Sequence, residues 1–400
     1  MAARTDAYAR PRDYFILVPT LRCNLRCDYC QVSRAAENAR GFDWDTELLT
    51  HIRALILATE AREITLEFQG GEPLLRLDVM INLRDAVRRA GKRVRTVVCT
   101  NLQRVDAAAW AFFGEEDVFI STSFDGTWDA HDTHRTRATE ALSAFRANLE
   151  RALSDFGTDR VSLTTTLDPR TAPAPETIFA AFDAMGVRTM FLRPVNHQGF
   201  ARKAYDVRED NTWDSYYLDL LDRLIAYNLG RQNALSEHYF AYVLRRILDP
   251  RRGEHVDLRN PSPVGSDYLV VGERGDLFPT DEARMLFRTG QIDLRIGHVT
   301  AGLDPTRVAQ LNRHADNRAD PDCARCVYQA VCGRDLVDDL SRYGRIDGPR
   351  QATRHCRRHL ALFDHILRRL STATEPELDV MAAMAGLSGL DTTPYRPAHA

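Results

Sequence analysis

This 400-residue sequence has no run of about 18 apolar residues, so no segment is long enough to cross a membrane as a helix. A secretory signal is also missing. Met1–Arg12 is polar, carries Arg4, Arg10 and Arg12 and has no apolar core, and the first hydrophobic run, Tyr14–Val18, has the length of a strand. A cytoplasmic location is expected. Lysine is nearly absent and the positive charge is almost all Arg, a usage that carries no functional meaning here. The net charge of −3 leaves no cationic surplus for a phosphate backbone, so neither nucleic acid nor a membrane is an expected partner. Cysteine is scarce, eight residues in all. Seven fall in two tight groups near opposite ends of the chain, Cys23, Cys27 and Cys30, then Cys323, Cys326, Cys332 and Cys356, which leaves Cys99 alone. Secreted disulfide scaffolds spread their cysteines through a short chain; two tight groups in a long one read as two metal sites in a reducing compartment.

What is present is an ordinary globular composition, 44% hydrophobic and 27% charged, in a chain long enough for one large domain and a smaller appendage. Strand-like runs at Tyr14–Val18, Ile64–Phe68, Val94–Cys99, Val118–Ser123, Val161–Leu167 and Thr189–Arg193 alternate with amphipathic stretches near 45–60, 77–91, 105–114, 139–157 and 174–185. Such alternation implies a parallel sheet. Several strands have one polar face: Glu67 with Gln69, Ser121 with Ser123 and Asp125, Ser162 with Thr164 and Thr166. A sheet covered on both faces would be apolar throughout. The expected fold is therefore α/β, a partial (β/α)6 TIM-like barrel with a polar lumen. Beyond Asn196, two helices near Thr212–Leu229 and Ser236–Leu248 precede a hairpin of Tyr268–Val271 and Asp276–Pro279 and a helix near Thr353–Leu370. Residues 371–400, rich in Ala, Gly, Thr and Pro, read as a poorly ordered tail.

Cys23-Asn-Leu-Arg-Cys27-Asp-Tyr-Cys30 follows the first strand directly, at the mouth where barrel folds keep their chemistry. Three thiolates do not close a tetrahedral zinc site but suit a cubane with one open iron; unrelated buried thiols, or a zinc site completed from elsewhere, are the plainer alternatives. The CxxxCxxC pattern, with Tyr29 before the last cysteine, resembles the signature of the radical S-adenosylmethionine (SAM) superfamily. That resemblance implies a [4Fe–4S] cluster on Cys23, Cys27 and Cys30 whose open iron binds SAM. Gly70-Gly71-Glu72-Pro73 resembles the family's GGEP motif, which binds the SAM amino group. Its glycines would let the backbone approach a ligand, and Glu72 would accept from an ammonium. Thr100 and Asn101 are similar to the family's Thr-Asn element. Ser123-Phe-Asp125-Gly126, with Arg135 downstream, resembles the Ser-x-Asp-Gly element of the peptide-modifying branch. It implies that Ser123 and Asp125 contact the SAM ribose and Arg135 its carboxylate. Taken singly, each such strand end could equally cap the following helix. Cys99 reads as a small buried hydrophobe, with a hydrogen-atom donor as the sharper alternative.

Cys323-Ala-Arg-Cys326, Cys332 and Cys356 offer four thiolates, which close either a zinc site or a cubane. The segment resembles the SPASM/twitch extension of radical SAM peptide maturases, with departures. Asp276-Leu-Phe-Pro-Thr280-Asp281-Glu282 has no cysteine where ligands of a first auxiliary cluster are expected, and Leu336 stands where one more cysteine is expected. The resemblance then implies one auxiliary [4Fe–4S] cluster. Short stretches, among them Thr20-Leu-Arg-Cys23, Leu66–Leu75 and Asp281-Glu-Ala-Arg-Met285, are similar to the His-Xaa-Ser system radical SAM maturases (HxsB type). The domains expected are an N-terminal extension over 1–13, the barrel over 14–200, a helical linker over 201–260, and the auxiliary-cluster domain over 261–370, ahead of the tail. With so short a segment before the first strand, no leader-peptide recognition domain is expected.

The function implied is reductive cleavage of SAM to a 5′-deoxyadenosyl radical that modifies a ribosomal precursor peptide. An oxidative intramolecular crosslink is the expected outcome, with a one-electron donor such as flavodoxin or ferredoxin as partner. Glu67, Gln69, Arg193 and Asp281 are candidate substrate contacts or bases, structural hydrogen bonding being the alternative. A sulfatase-type protein maturase and a peptide epimerase are the enzymatic rivals. A tRNA-modifying enzyme would be expected to show a basic surface. A zinc-stabilised binding module would need neither Gly70–Pro73 nor Ser123–Gly126.

Overall fold

The computed structural model describes residues 11–203, 211–249, 258–266, 268–387 and 389–390. Most of the expected N-terminal extension, part of the expected linker and the end of the expected tail lie outside them. Six strands run parallel and in chain order: β1 (Tyr14–Leu17), β2 (Glu63–Phe68), β3 (Arg93–Cys99), β4 (Val118–Ser123), β5 (Val161–Leu167) and β6 (Thr189–Pro194). Between them return α1 (Thr46–Leu57), α2 (Leu77–Arg89), α3 (Ala107–Phe113), α4 (Thr139–Phe156) and α5 (Pro175–Ala184). Local chemistry sets the helix starts. The side chains of Asp45 and Asp106 accept the N–H of Leu48 and Ala109 as N-caps, and Pro175 opens α5 where a missing N–H costs nothing.

Period-two alternation divides each strand. Phe15, Leu17, Leu66, Phe68, Val98, Ile120, Leu163 and Leu192 are buried in one core with Ile52, Val79, Leu83, Phe113, Phe145 and Phe182 of the helices. Each such side chain contributes about 1.5–3 kcal/mol by leaving water. Glu67, Cys99, Ser121, Thr164 and Arg193 alternate with them and stay only half-buried. One face of the sheet therefore packs under helices while the other lines a polar lumen, as the strand polarity implied.

The sheet continues past the barrel on both edges. β7 (Ser236–Glu237) pairs with β6, while β8 (Tyr268–Val271) lies parallel on the free side of β1 with Phe15 opposite Leu269. β8 forms the expected hairpin with antiparallel β9 (Asp276–Phe278), followed by β10 (Gly297–His298) and β11 (Gly302–Leu303). The strand order is β11-β10-β9-β8-β1-β2-β3-β4-β5-β6-β7, so the C-terminal hairpin extends the barrel sheet itself. The remaining helices are α6 (Thr212–Asn228), which packs on α5, α7 (His238–Leu248), which packs on β6 and β7, and α8 (Asp281–Arg288), α9 (Pro305–Asn312), α10 (Leu336–Tyr343) and α11 (Arg354–Thr372).

The first part of the expected tail is structured. Residues 375–384 form α12, opened by a capping box between Thr374 and Glu377. Leu378, Met381 and Met384 are buried, and the helix packs on α6 and β7. The Ala-rich composition that suggested a tail is here helix-forming composition with one apolar face.

Candidate active site

The loop after β1 carries Cys23, Cys27 and Cys30, and the loop after β2 lies across its base. A Cβ at Gly70, where φ is +126°, would stand 2.2 Å from the Thr20 carbonyl oxygen, and one at Gly71 would stand 2.1 Å from that of Arg22. The N–H of Gly71 donates to Thr20 O at 3.0 Å and that of Glu72 to Arg22 O at 2.8 Å. The close approach that these glycines permit is thus to the chain's own backbone just before Cys23, where the motif suggested approach to a ligand. Glu72 is buried and receives three protein donors: the Thr100 hydroxyl at 2.8 Å, the Leu74 N–H at 3.1 Å and the Asn101 N–H at 2.8 Å. Burial raises its pKa to about 7 against the pull of those hydrogen bonds. Glu72 is therefore a tie between the ends of β2 and β3, and the adjoining Pro73 opens a short turn that it caps.

The three thiols lie within electrostatic reach of one another. Burial pushes Cys23 up to about 12 and Cys27 to about 11; Arg135 opposes the rise at Cys27, and the Leu25 N–H, 3.4 Å from Cys23 Sγ, opposes it at Cys23. Arg135 sits on a single π-turn, Asp132–Thr136, that follows β4 and the short helical turn Trp128–His131. Its Nε lies 3.0 Å from both oxygens of the buried Asp125, and the Tyr29 hydroxyl donates to the same carboxylate. The guanidinium stands 5.1 Å from the Tyr29 ring centroid. Burial works against the charge on Arg135, but Asp125 holds it ionised. Asp125 and Arg135 are thus joined to each other and to the residue before Cys30, while Ser123, at the end of β4, lies half-buried opposite Thr164.

Inside the lumen, Glu67 accepts from the Tyr14 hydroxyl, from Gln69 Nε2 at 2.5 Å and from the Cys99 thiol at 3.6 Å. Burial, then Glu67, drives the Cys99 thiol well above its usual pKa, and Asp281 acts in the same direction. Asp281, in the first turn of α8, is held by Arg284 Nε at 2.7 Å. Of the four candidate catalytic residues, Glu67 accepts from Cys99, Gln69 donates to Glu67, and Asp281 acts on Cys99 electrostatically. Arg193 stands apart, its guanidinium 5.6 Å from the Phe191 ring centroid and 3.9 Å from Glu282.

Residues 17–171 match the family model of the Radical SAM superfamily. They form a radical SAM domain. The chain is 27% identical over 327 residues to the serine-type anaerobic sulfatase-maturating enzyme of Klebsiella aerogenes, covering 78% of this chain and 76% of that protein. It is 25% identical over 317 residues to GTP 3′,8-cyclase of Rhodococcus opacus (strain B4), covering 74% and 81%. The solved structure of anSMEcpe with bound AdoMet and Cp18Cys peptide is similar with a TM-score of 0.69 at 17% identity, covering 90% of this chain and 98% of that one. Streptococcus suis SuiB bound to precursor peptide SuiA is similar with a TM-score of 0.57 at 12% identity, covering 85% and 75%. At these identities the structures establish the fold. Radical SAM domains use a [4Fe–4S] cluster and SAM, and the three thiols after β1 are consistent with an iron–sulfur cluster.

Beyond the radical SAM domain, the second cysteine group is also brought together. Cys332 senses Cys356, Cys323 and Cys326 electrostatically, and burial pushes Cys332 and Cys323 up to about 12. The N–H of Cys326 donates to Cys323 O at 3.0 Å, Asn317 Nδ2 donates to Cys332 O at 2.7 Å, and Thr353 caps α11 at the N–H of Cys356. An ion-pair cluster of Asp320, Arg334, Arg350 and Asp339 braces this region. Leu336 is buried apolar core at the start of α10. Among the described residues, no three His, Cys, Asp or Glu side chains converge as ligands of one ion would.

Two supporting residues had escaped the sequence. Tyr14 joins the lumen network across 53 positions, and Gly199, where a Cβ would stand 1.9 Å from Gln31 O, packs on the residue after Cys30. The lumen parity of β1 could have indicated Tyr14, whereas nothing local marks Gly199.

Proposed function

We propose that this radical SAM enzyme modifies a ribosomally made precursor peptide by an oxidative intramolecular crosslink, in the manner of the HxsB type. Cys323, Cys326, Cys332 and Cys356 then hold one auxiliary [4Fe–4S] cluster. The supporting observation is the lumen cluster in which Cys99 donates to Glu67, with Asp281 of the extension acting electrostatically on the same thiol, a polar site for an oxidisable substrate. Peptides occupy the similar structures of anSMEcpe and SuiB. The four thiols of the second cysteine group sense one another electrostatically, and four thiolates close a cubane fully. When bound, the cluster and SAM supply a 5′-deoxyadenosyl radical, and the auxiliary cluster an acceptor for the electron left after hydrogen abstraction.

The chain's own residues do the rest. Tyr29, Asp125 and Arg135 fix the cysteine loop, while Gly70–Pro73, Thr100, Asn101 and Ser123 border the space where SAM binds. Glu67 and Asp281 offer carboxylates to take the proton that an oxidation releases, and Arg193 offers a cation at the mouth. The protein is cytoplasmic and is reduced by a flavodoxin or ferredoxin. A second reading, redox-neutral epimerisation, is favoured by one observation, the Cys99 thiol in the lumen beside Glu67.

Cys326→Ala separates these readings. In folded variant protein, 5′-deoxyadenosine should still form while the peptide mass stays unchanged. Normal turnover would remove the auxiliary site as electron acceptor and favour epimerisation. Failure of wild-type protein to make deoxyadenosine with dithionite and SAM, matched by Cys30→Ala, would overturn the radical SAM reading.

A further inference from the structure

β3 ends at Cys99, and the chain turns sharply through Leu102, whose φ is +52°. Between them Asn101 is fixed at its backbone N–H and at both side-chain polar atoms. Its backbone N–H donates to Glu72 Oε2 at 2.8 Å, and its Oδ1 accepts the Gln103 N–H at 2.9 Å. Because Oδ1 must face a donor, the orientation of the amide is determined, and Nδ2 is the group pointing at the cysteine loop. Nδ2 donates to Asn24 Oδ1 at 2.8 Å and lies 3.8 Å from Cys23 Sγ, within reach of an N–H···S hydrogen bond. The Leu25 N–H approaches the same sulfur at 3.4 Å. Cys23 thus receives one donor from its own loop and one from a different strand, the latter anchored by a buried carboxylate.

We propose that Asn101 is a positioning residue that sets the reduction potential of the cluster held by Cys23, Cys27 and Cys30, by donating an N–H to the Cys23 thiolate. This rests on the radical SAM reading above. A donor to a ligating sulfur withdraws electron density and favours the more negative, reduced state of the cluster. The Glu72–Asn101 tie anchors that donor to the ends of β2 and β3.

The test uses the full chain reconstituted anaerobically with iron and sulfide, and an EPR-monitored potentiometric titration of the cluster signal that responds to added SAM. Asn101→Leu removes the donor at similar volume. Asn101→Asp keeps the acceptor for Gln103 and replaces the donor with an oxygen. Both should lower the reduced-to-oxidised ratio at a fixed potential by about tenfold, which for one electron is about 59 mV toward negative, with the larger change for Asp. Asn24→Ala, which leaves the Asn101–Cys23 contact in place, should shift the ratio less than threefold. Variant potentials indistinguishable from wild type at equal iron content would overturn the proposal. So would loss of the cluster in both folded Asn101 variants, which would make Asn101 a structural prop alone. A wild-type protein without a SAM-responsive cluster would fail the underlying reading instead.

Discussion

Gly71→Ala is the sharpest perturbation of the site that leaves every cysteine in place. The new methyl would stand 2.1 Å from Arg22 O and 2.5 Å from Leu21 O, both backbone atoms that no rotamer change can clear. Restoring ordinary contact needs a displacement of about 1 Å between the turn after β2 and the cysteine loop, a backbone shift of the kind that costs about 1–3 kcal/mol. The same displacement stretches the Gly71–Thr20 and Glu72–Arg22 hydrogen bonds, now 3.0 and 2.8 Å, each contributing about 1 kcal/mol. The expected loss is about 3 kcal/mol. Urea unfolding of the metal-free protein measures it, and iron content after anaerobic reconstitution reads the displaced loop directly. Gly348→Ala is the control, since the nearest atom to its Cβ lies 4.0 Å away; it should stay within about 0.5 kcal/mol of wild type. If Gly71→Ala matches that control in stability and in iron content, the turn does not position the cysteine loop.

Glu72 should make stability depend on pH. Its folded pKa, raised from 4.5 to about 7, means that the native state holds this proton more tightly than the unfolded chain, so its contribution is full below about pH 4.5 and is lost as pH rises through 7. The stability difference between wild type and Glu72→Gln should therefore fall by about 3 kcal/mol over that window and then level off; parallel curves would place the carboxyl in a more watery site. Met381→Ala, fully buried in α12, should cost about 2–5 kcal/mol in urea unfolding. A change below about 0.5 kcal/mol would return residues 375–384 to the status of an unattached tail.

The sequence by itself determined whatever is encoded over short range. The period-two polarity of β2, β4 and β5 is a local property of the pleat, and it was enough to give a barrel with a polar lumen. The spacing of Cys23, Cys27 and Cys30 and their place after β1 are likewise local, and residues 17–171 match the family that this pattern resembles. Tertiary structure alone decided what depends on distant partners. That Gly70 and Gly71 pack on Thr20 and Arg22, and that Asp125 and Arg135 close on Tyr29, follows from which loops the parallel register brings side by side. The attachment of β8 to β1 was equally hidden, because an edge strand's hydrogen bonds carry no side-chain signature and any edge of fitting apolar parity could accept it. The order of α12 turned on burial against α6, a free energy that resides in neither helix's sequence alone.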